Sequence, residues 1–256
     1  MRLNPMDGNN VRFGVLGRLV VWRGPREVAL PSGVLQRLLA VLLTAEDPIP
    51  AKTLLDLAWM GNTPPSGRTA MQVGVSRLRR WLATVAGGSV AVVCEHGNYR
   101  LIRPLGSLDA EAFERQLQRC ASLRAPSHRL VDELLRALSI WRGPALDGNP
   151  IAAHLPAVRR WELQRTAAGN SLVEAALASG RATEALPWLL RLADEHPMHE
   201  ALHAGLARLL AVTGQQAAAL SVLQAIRSRL AEELGLDPSP VLTSALEGVL
   251  RQSVRR

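Results

Sequence analysis

The chain has 256 residues, 48% of them apolar, and a formal net charge of +8. This length is enough for two ordinary domains with separate cores. No apolar run reaches the roughly 18 residues that a membrane-spanning helix needs, and the polar residues 1–10 predict no signal peptide, so we expect a cytoplasmic protein. The two cysteines, Cys94 and Cys120, lie far apart and lack the spacing of a metal or redox site.

The positive charge is concentrated in the first part of the chain. Residues 1–104 contain 13 lysines and arginines against 6 acidic residues, a net charge of +7, whereas residues 105–256 have a net charge of +1. A regional excess of cationic side chains is typical of a surface that binds a polyanion such as nucleic acid. We therefore expect a DNA-binding domain over residues 1–104 and a second domain over residues 105–256 that contacts other partners.

The first domain is predicted to alternate short strands and short helices. In chain order the patterns are strands at 11–16, 19–23 and 27–30, helices at 34–45, 52–60 and 68–82, and strands at 90–94 and 99–102. Ser32 is the candidate N-cap of the first helix, and the loop before the third helix contains Pro64 and Pro65. Gly97 and Asn98 tolerate positive φ and are expected at the tip of the last hairpin. This order predicts an α+β winged helix-turn-helix domain in which the hairpin is the wing.

The third predicted helix combines one apolar edge with an outer face that contains no acidic residue. The edge expected in the core consists of Met71, Val75, Leu78 and Leu82. Opposite it lie side chains suited to phosphates, guanine edges or a thymine methyl group, namely Thr69, Val73, Ser76, Arg77 and Arg80, with Gln72 and Arg79 on the flank and Arg68 at the start of the helix. We expect these residues to contact double-stranded DNA together with Asn98 and Arg100 of the hairpin, where Arg103 is also placed to meet phosphates. The alternative is an ordinary solvated helix that is rich in arginine.

Residues 70–80, with the pattern Ala-x-Gln-Val-x-Val-Ser-Arg-Leu-Arg-Arg, and the Gly-x-Tyr-Arg-Leu hairpin at 97–101 resemble the OmpR-type DNA-binding domain. They are most similar to its version in the Streptomyces antibiotic regulatory proteins (SARPs). Gly74 stands where that family usually has a histidine, and a glycine within a helix costs about 0.5–1 kcal/mol relative to alanine. We expect Gly74 beside the DNA-facing residues, where either the backbone comes close to DNA or a contact is lost.

The second domain is predicted to be almost wholly helical, with helices at 109–124, 127–141, 156–179, 182–195, 198–213, 215–234 and 239–252. The segment 180–186 recurs at 214–220, an offset of 34 residues, and Leu172, Ala176 and Leu189 recur as Leu206, Leu210 and Leu223. Thirty-four residues is the tetratricopeptide period. The repeat predicts an all-α, tetratricopeptide-like domain with a groove for protein contact or dimerisation. The alternative is a compact helical bundle in which the similarity between the two segments arises by chance.

Three segments of this domain, 137–146, 196–200 and 230–240, resemble the bacterial transcriptional activator domain of SARPs. The motif Trp-Arg-Gly-Pro-Ala-Leu at 141–146 is strongly characteristic of that domain. The resemblance implies an activator that binds direct repeats in promoter DNA, associates with itself on that DNA and recruits RNA polymerase holoenzyme. It also implies control of a secondary-metabolite gene cluster, such as one for an antibiotic.

No catalytic motif accompanies these features, so we expect neither an enzyme nor a cofactor. His196, His199 and His203 are spaced like metal ligands, but no fourth ligand is evident, and we expect histidines on a helix surface. Two other functions remain open. A protein-docking adaptor would use the winged helix without reading DNA, and a small-molecule sensor would need a pocket in the helical domain, for which the sequence shows no convergent polar cluster.

Overall fold

The computed structural model describes residues 11–31, 33–123 and 127–254, with the side chains of 252–254 outside that description. Ser32, the candidate N-cap, therefore lies outside the described residues. The chain forms two compact units. The first contains the described residues up to Phe113 together with Ile140–Glu162, and the second contains the described residues of 114–139 and 163–256.

The first unit begins with a three-stranded antiparallel sheet made of β1 (Val11–Gly14), β2 (Val20–Arg23) and β3 (Arg26–Val28), with β2 in the centre. Phe13 lies opposite Val21 in the sheet, and both side chains are fully buried. The three predicted strands are confirmed, but each is shorter than predicted. Strand β1 ends early because the residues after it leave the sheet. Their carbonyl groups accept hydrogen bonds from the backbone N–H groups of residues 142–147.

Three helices follow, α1 (Val34–Thr44), α2 (Ala51–Trp59) and α3 (Gly67–Ala86). Leu38, Leu54 and Leu78 are fully buried, one from each helix, and contribute to the core that holds the three helices together. Gly67 begins α3 where a Cβ atom would lie 2.4 Å from the Thr63 side chain, so the glycine lets the preceding loop pack closely against the helix. The predicted succession of three helices is confirmed.

A second antiparallel sheet completes the first domain. Its strands are β4 (Ile49–Pro50), β5 (Ala91–Glu95) and β6 (Asn98–Ile102), with β6 in the centre. Strands β5 and β6 are the predicted hairpin, whereas β4 was not predicted. Two residues, one of them proline, carry no alternating pattern, and β4 forms only because Ile49 meets Tyr99 across the sheet.

The segment 140–162 packs within the first unit, although the sequence placed it in the second domain. Trp141 is buried, and its ring stands edge-on to Phe113 with 5.3 Å between the ring centroids. The backbone N–H of Arg142 donates to the carbonyl of Leu16, and that of Leu146 donates to the carbonyl of Val15, both at 2.8 Å. Residues 141–146, which resemble part of the activator domain, therefore pack beside the N-terminal sheet.

A half-buried carboxylate, that of Asp109, links the segment after β1 to Arg142. Asp109 accepts hydrogen bonds from the backbone N–H groups of Val15 at 2.9 Å and Leu16 at 3.2 Å, and pairs with the Arg142 guanidinium at 3.0 Å. Burial raises the pKa of Asp109 above its ordinary value, even though these hydrogen bonds lower it. These contacts explain why the structure does not divide between 104 and 105, the boundary expected from the sequence.

The remaining elements are helices, namely α4 (Asp109–Ala121), α5 (His128–Leu138), α6 (Pro156–Ser179), α7 (Ala182–Glu195), α8 (Glu200–Val212), α9 (Gln216–Arg229) and α10 (Pro240–Val254). All seven were predicted, most of them within a few residues of their observed ends. The exception is the helix predicted to continue to 234, because α9 ends at Arg229 and a single π-helical turn spans Leu230–Leu234. None of the helices in the described part of the chain is long and apolar enough to cross a membrane.

The 34-residue repeat corresponds to repeated structure in the second unit. Gly180 and Gly214 both adopt positive φ, at 69° and 84°, and each ends a helix. The residue after each glycine donates its backbone N–H to a carbonyl five residues earlier, Arg181 to Ala176 at 2.9 Å and Gln215 to Leu210 at 2.8 Å. The three pairs of apolar residues predicted to be equivalent are all buried. The second unit is therefore a tetratricopeptide-like stack, as predicted.

Candidate nucleic-acid interface

Helix α3 is oriented as its sequence predicted. The four residues of its apolar edge, Met71, Val75, Leu78 and Leu82, are between 0% and 3% exposed. The opposite side is solvated, and the predicted contact residues on it, Arg68, Thr69, Gln72, Val73, Ser76, Arg77, Arg79 and Arg80, are all exposed. Val73 keeps 44% of its surface accessible, which leaves it able to meet an apolar group.

In the part of the chain that the structure describes, no carboxylate neutralises the guanidinium groups on this face. Within the described residues, Arg68, Arg77, Arg80 and Arg100 form no salt bridge, and α3 contains no acidic residue. Some arginines elsewhere in the chain do pair with carboxylates, for example Arg18 with Glu27 at 2.7 Å. A cluster of cationic side chains without acidic partners is the electrostatic arrangement that a polyanion would neutralise.

Arg79 is the exception on the predicted face. Its Nε donates a hydrogen bond to the backbone carbonyl oxygen of Val92 in β5, at 2.8 Å. The residue is exposed, but its guanidinium is attached to the wing by this bond. The position of Arg79 on the helix was predictable, whereas this contact with β5 was not.

The wing differs from the prediction at its tip. The residues with positive φ are His96, at 48°, and Gly97, at 80°, where we expected Gly97 and Asn98. Asn98 instead begins β6, where it lies between Pro50 and Glu95 of the neighbouring strands and is half-buried. Arg100 is exposed on the same strand. The wing therefore presents Arg100 more openly than Asn98.

Arg103 does not occupy the position we predicted for it. Its guanidinium pairs with Glu111 at 2.8 Å and lies 3.4 Å from the hydroxyl oxygen of Ser107, with 18% of its side chain exposed. The ion pair links the residue that follows β6 to the first turn of α4. Arg103 is therefore a structural residue in this conformation, and its carboxylate partner could not be identified from sequence spacing.

Gly74 also lies on a different side of α3 than expected. It is buried, and a Cβ atom at this position would lie 3.0 Å from Cδ1 of Leu38 in α1 and 3.6 Å from the Trp59 ring. The expectation that Gly74 borders the DNA-facing residues is wrong. The glycine shortens the distance between α3 and α1, so the structural reason for it is helix packing.

Sequence reasoning missed two polar residues beside the wing. Lys52 and Thr53 are exposed in the first turn of α2. The backbone N–H of Ala51 donates to the carbonyl of Gly97 at 2.9 Å, which holds the start of α2 next to the wing tip. No local signal connects residues 51 and 97; only the pairing of β4 with β6 brings them together.

The histidines of the second unit are not the surface residues that we expected. His203 is 8% exposed, and burial lowers its pKa, which favours the neutral ring. His199 caps α8, where Nδ1 accepts a hydrogen bond from the Leu202 N–H at 3.4 Å. Among the described residues there is no group of three or more histidine, cysteine or acidic side chains that could hold a metal ion.

A groove of about 850 Å³ runs along one face of α8 in the second unit. Ala204 and Gly205 contribute to its floor, and α6 and α10 line its sides. The two charged side chains that line it, Glu174 and Arg208, form an ion pair with each other. A Cβ atom at Gly248 would meet no atom within 4 Å, so a side chain at this position would extend into the groove.

The fold and the site together define a winged helix-turn-helix protein with a helical-repeat unit, and comparisons with known proteins agree. Residues 108–250 match the bacterial transcriptional activator domain. The chain is 31% identical to the transcriptional regulatory protein MoaR1 of Mycobacterium tuberculosis over 98% of this chain and 82% of that protein. It is 32% identical to the regulatory protein AfsR of Streptomyces griseus over 96% of this chain, but spans only 25% of that much longer protein.

A solved structure shows the same architecture. It is Mycobacterium tuberculosis EmbR in complex with a low-affinity phosphopeptide, which matches 95% of this chain and 65% of its own chain with a TM-score of 0.73 and 26% sequence identity. The chain belongs to the SARP family of transcriptional regulators.

Proposed function

We propose that the protein is a sequence-specific DNA-binding transcriptional activator that inserts α3 into the major groove. The observation that carries this proposal is the face of α3, where guanidinium groups without acidic partners lie opposite a fully buried apolar edge. A helix in a major groove needs one side packed in its own domain and the other side polar and cationic. Both conditions are met on this single helix.

The exposed side chains divide into two chemical classes. Arg77 and Arg80 can each offer two parallel N–H groups to O6 and N7 of guanine, and Val73 can pack against a thymine methyl group. Arg68 at the start of α3 and Arg100 on the wing suit backbone phosphates, which determine the orientation of the protein on the duplex. We assign base recognition to the middle of α3 and phosphate binding to its start and to the wing.

The family suggests how the protein is arranged on a promoter. We propose that copies bind direct repeats, associate head to tail on the DNA and act in the cytoplasm on a secondary-metabolite gene cluster. A head-to-tail arrangement requires two different surfaces on each copy, unlike the shared surface of a twofold dimer. The proposal follows from the resemblance to SARPs, and the uncovered arginine face supports its DNA-binding part.

Fluorescence anisotropy with the DNA upstream of its own gene tests this function. We expect that DNA to bind at least about 10³-fold more tightly than scrambled DNA of equal length, with log K falling linearly as log salt concentration rises. Equal and weak binding to both DNAs would contradict sequence-specific recognition. The protein-docking adaptor would then be favoured, and a stable protein complex that excludes DNA would be its signature.

We also assign the contact with RNA polymerase holoenzyme to the groove along α8. Glu174 and Arg208 are paired with each other, so the groove offers no unpaired charge to a nucleic acid or an anionic membrane. Its floor and sides come from helices whose backbone groups are bonded internally, so an extended peptide would find no strand edge to pair with. The occupant that fits is an apolar face of a polymerase helix.

Filling the groove is expected to abolish activation without affecting DNA binding. Gly248→Trp places an indole in the groove, and we expect activated transcript in vitro to fall by roughly tenfold or more, as for a loss of about 1.4 kcal/mol of contact. Gly248→Ala adds only a methyl group in open space and serves as the matched control, with activation retained. Unchanged activation by the tryptophan variant would place the polymerase contact elsewhere, and loss of self-association on DNA would assign the groove to a second copy.

A further inference from the structure

Arg79 differs from its neighbours on α3 although the sequence makes them look alike. Arg77, Arg79 and Arg80 are all exposed on one helix. Within the described residues, Arg79 alone of the three donates a hydrogen bond to another element, from Nε to the carbonyl oxygen of Val92 at 2.8 Å. This bond spans 13 residues of sequence and joins α3 to the wing.

The acceptor explains why the bond forms. The strand order of the second sheet is β4, β6, β5, so β5 is an edge strand. An edge strand leaves backbone acceptors without a partner in the sheet. Val92 is 4% exposed, so an acceptor there has little access to water, and a charged donor satisfies it well. Arg79 thus supplies a donor to the side of β5 that faces α3.

The charge of Arg79 also affects Tyr99, which lies in the strand next to β5. Tyr99 belongs to the central strand β6, is 8% exposed and lies opposite Cys94 of β5. Burial raises the pKa of Tyr99, and the charges of Arg79 and Arg68 act in the opposite direction. The charge of Arg79 therefore acts on the central strand β6 as well as on the edge strand β5.

We infer that Arg79 is a positioning residue that holds the wing at a set angle to α3. Base recognition is left to Arg77 and Arg80, and the wing reaches its phosphates only while the Arg79–Val92 bond is intact. This inference rests on the proposed DNA-binding function for its consequence on DNA. The attachment of the wing itself can be measured without DNA.

The experiment compares two charge-conserving variants of adjacent residues. Arg79→Lys keeps the positive charge but lacks the Nε donor and its planar geometry, whereas Arg80→Lys changes no contact with the wing. In the free protein we expect amide hydrogen exchange in β5 to quicken by roughly tenfold in Arg79→Lys and to stay at the wild-type rate in Arg80→Lys. Exchange in α1 reports the stability of the domain and should match the wild type in both.

On DNA, we expect Arg79→Lys to lose hydroxyl-radical protection of the deoxyriboses under the wing and to keep protection of the deoxyriboses that flank the groove occupied by α3. Its affinity should fall about tenfold with little change in preference among base sequences. Wild-type exchange in β5, or full protection under the wing, overturns the inference. Failure of the wild-type protein to bind DNA would refute the proposed function instead, and the exchange comparison would still decide whether Arg79 holds the wing.

Discussion

Replacing both Arg77 and Arg80 by alanine is expected to weaken binding to the upstream DNA by at least about thirtyfold, since each lost bidentate contact to a base costs roughly 1–3 kcal/mol. Both side chains are exposed on α3, and neither forms a salt bridge within the described residues. Their removal therefore leaves no buried group unsatisfied, and the free energy of unfolding should stay within about 0.5 kcal/mol of the wild type. Anisotropy titration measures the first effect and urea unfolding the second.

The control variant must lose the same two positive charges, but from residues outside the winged helix. Arg115 on α4 and Arg129 on α5 are exposed and belong to the second unit, so the double alanine variant removes two positive charges that are not part of the winged helix. We expect that control to lose only a small part of its affinity, by weakening the long-range attraction to DNA. Equal losses in the two double variants would show that α3 supplies net charge and does not read bases.

Replacing Asp109 by alanine is expected to lower the free energy of unfolding of the first unit by about 2–5 kcal/mol, because it leaves two buried N–H groups without an acceptor. Those groups belong to Val15 and Leu16, whose side chains are fully buried, and Arg142 loses its carboxylate at the same time. Tryptophan fluorescence in urea is a suitable measurement, since five of the six tryptophans lie in the first unit. Asp56→Ala removes an exposed carboxylate in that unit and should change stability by less than about 0.5 kcal/mol.

The partner variant Arg142→Ala should be less destabilising, and its effect should depend on pH. Burial already raises the pKa of Asp109, and loss of the guanidinium raises that pKa further. The unfolded chain releases the Asp109 proton near pH 4, while the folded variant retains it to a higher pH. Stability therefore falls as pH rises between the two pKa values, and the deficit relative to wild type should be larger at pH 7 than at pH 4. A deficit independent of pH would show that the pair is not coupled.

Much of the architecture could be predicted because it is encoded in short-range patterns. The spacing of Met71, Val75, Leu78 and Leu82 predicted which edge of α3 is buried, and that prediction is confirmed. Gly180 and Gly214 predicted two helix ends of the same geometry, since glycine adopts positive φ without steric cost. The wing hairpin was predicted from its strand patterns, although its tip is displaced by one residue.

Several of the errors share one physical origin, which is contact between residues of different elements. Gly74 packs against Leu38, Arg103 pairs with Glu111 and β4 exists only through its pairing with β6. None of these contacts follows from the residue type alone, because each depends on which element lies opposite after folding. Arginine in particular looks the same in a sequence whether its guanidinium faces solvent, a carboxylate or a backbone carbonyl.

The sequence by itself determined that the protein has a basic winged helix, a 34-residue helical repeat and the motifs of its family, because periodicity, charge and turn residues act locally. Tertiary structure alone decided that residues 141–146 pack beside the N-terminal sheet, where Asp109 and Arg142 meet Val15 and Leu16. Asp109 lies 94 residues after Val15, and Arg142 lies still further along the chain. Only closure of the whole first unit brings those backbone groups within hydrogen-bonding distance.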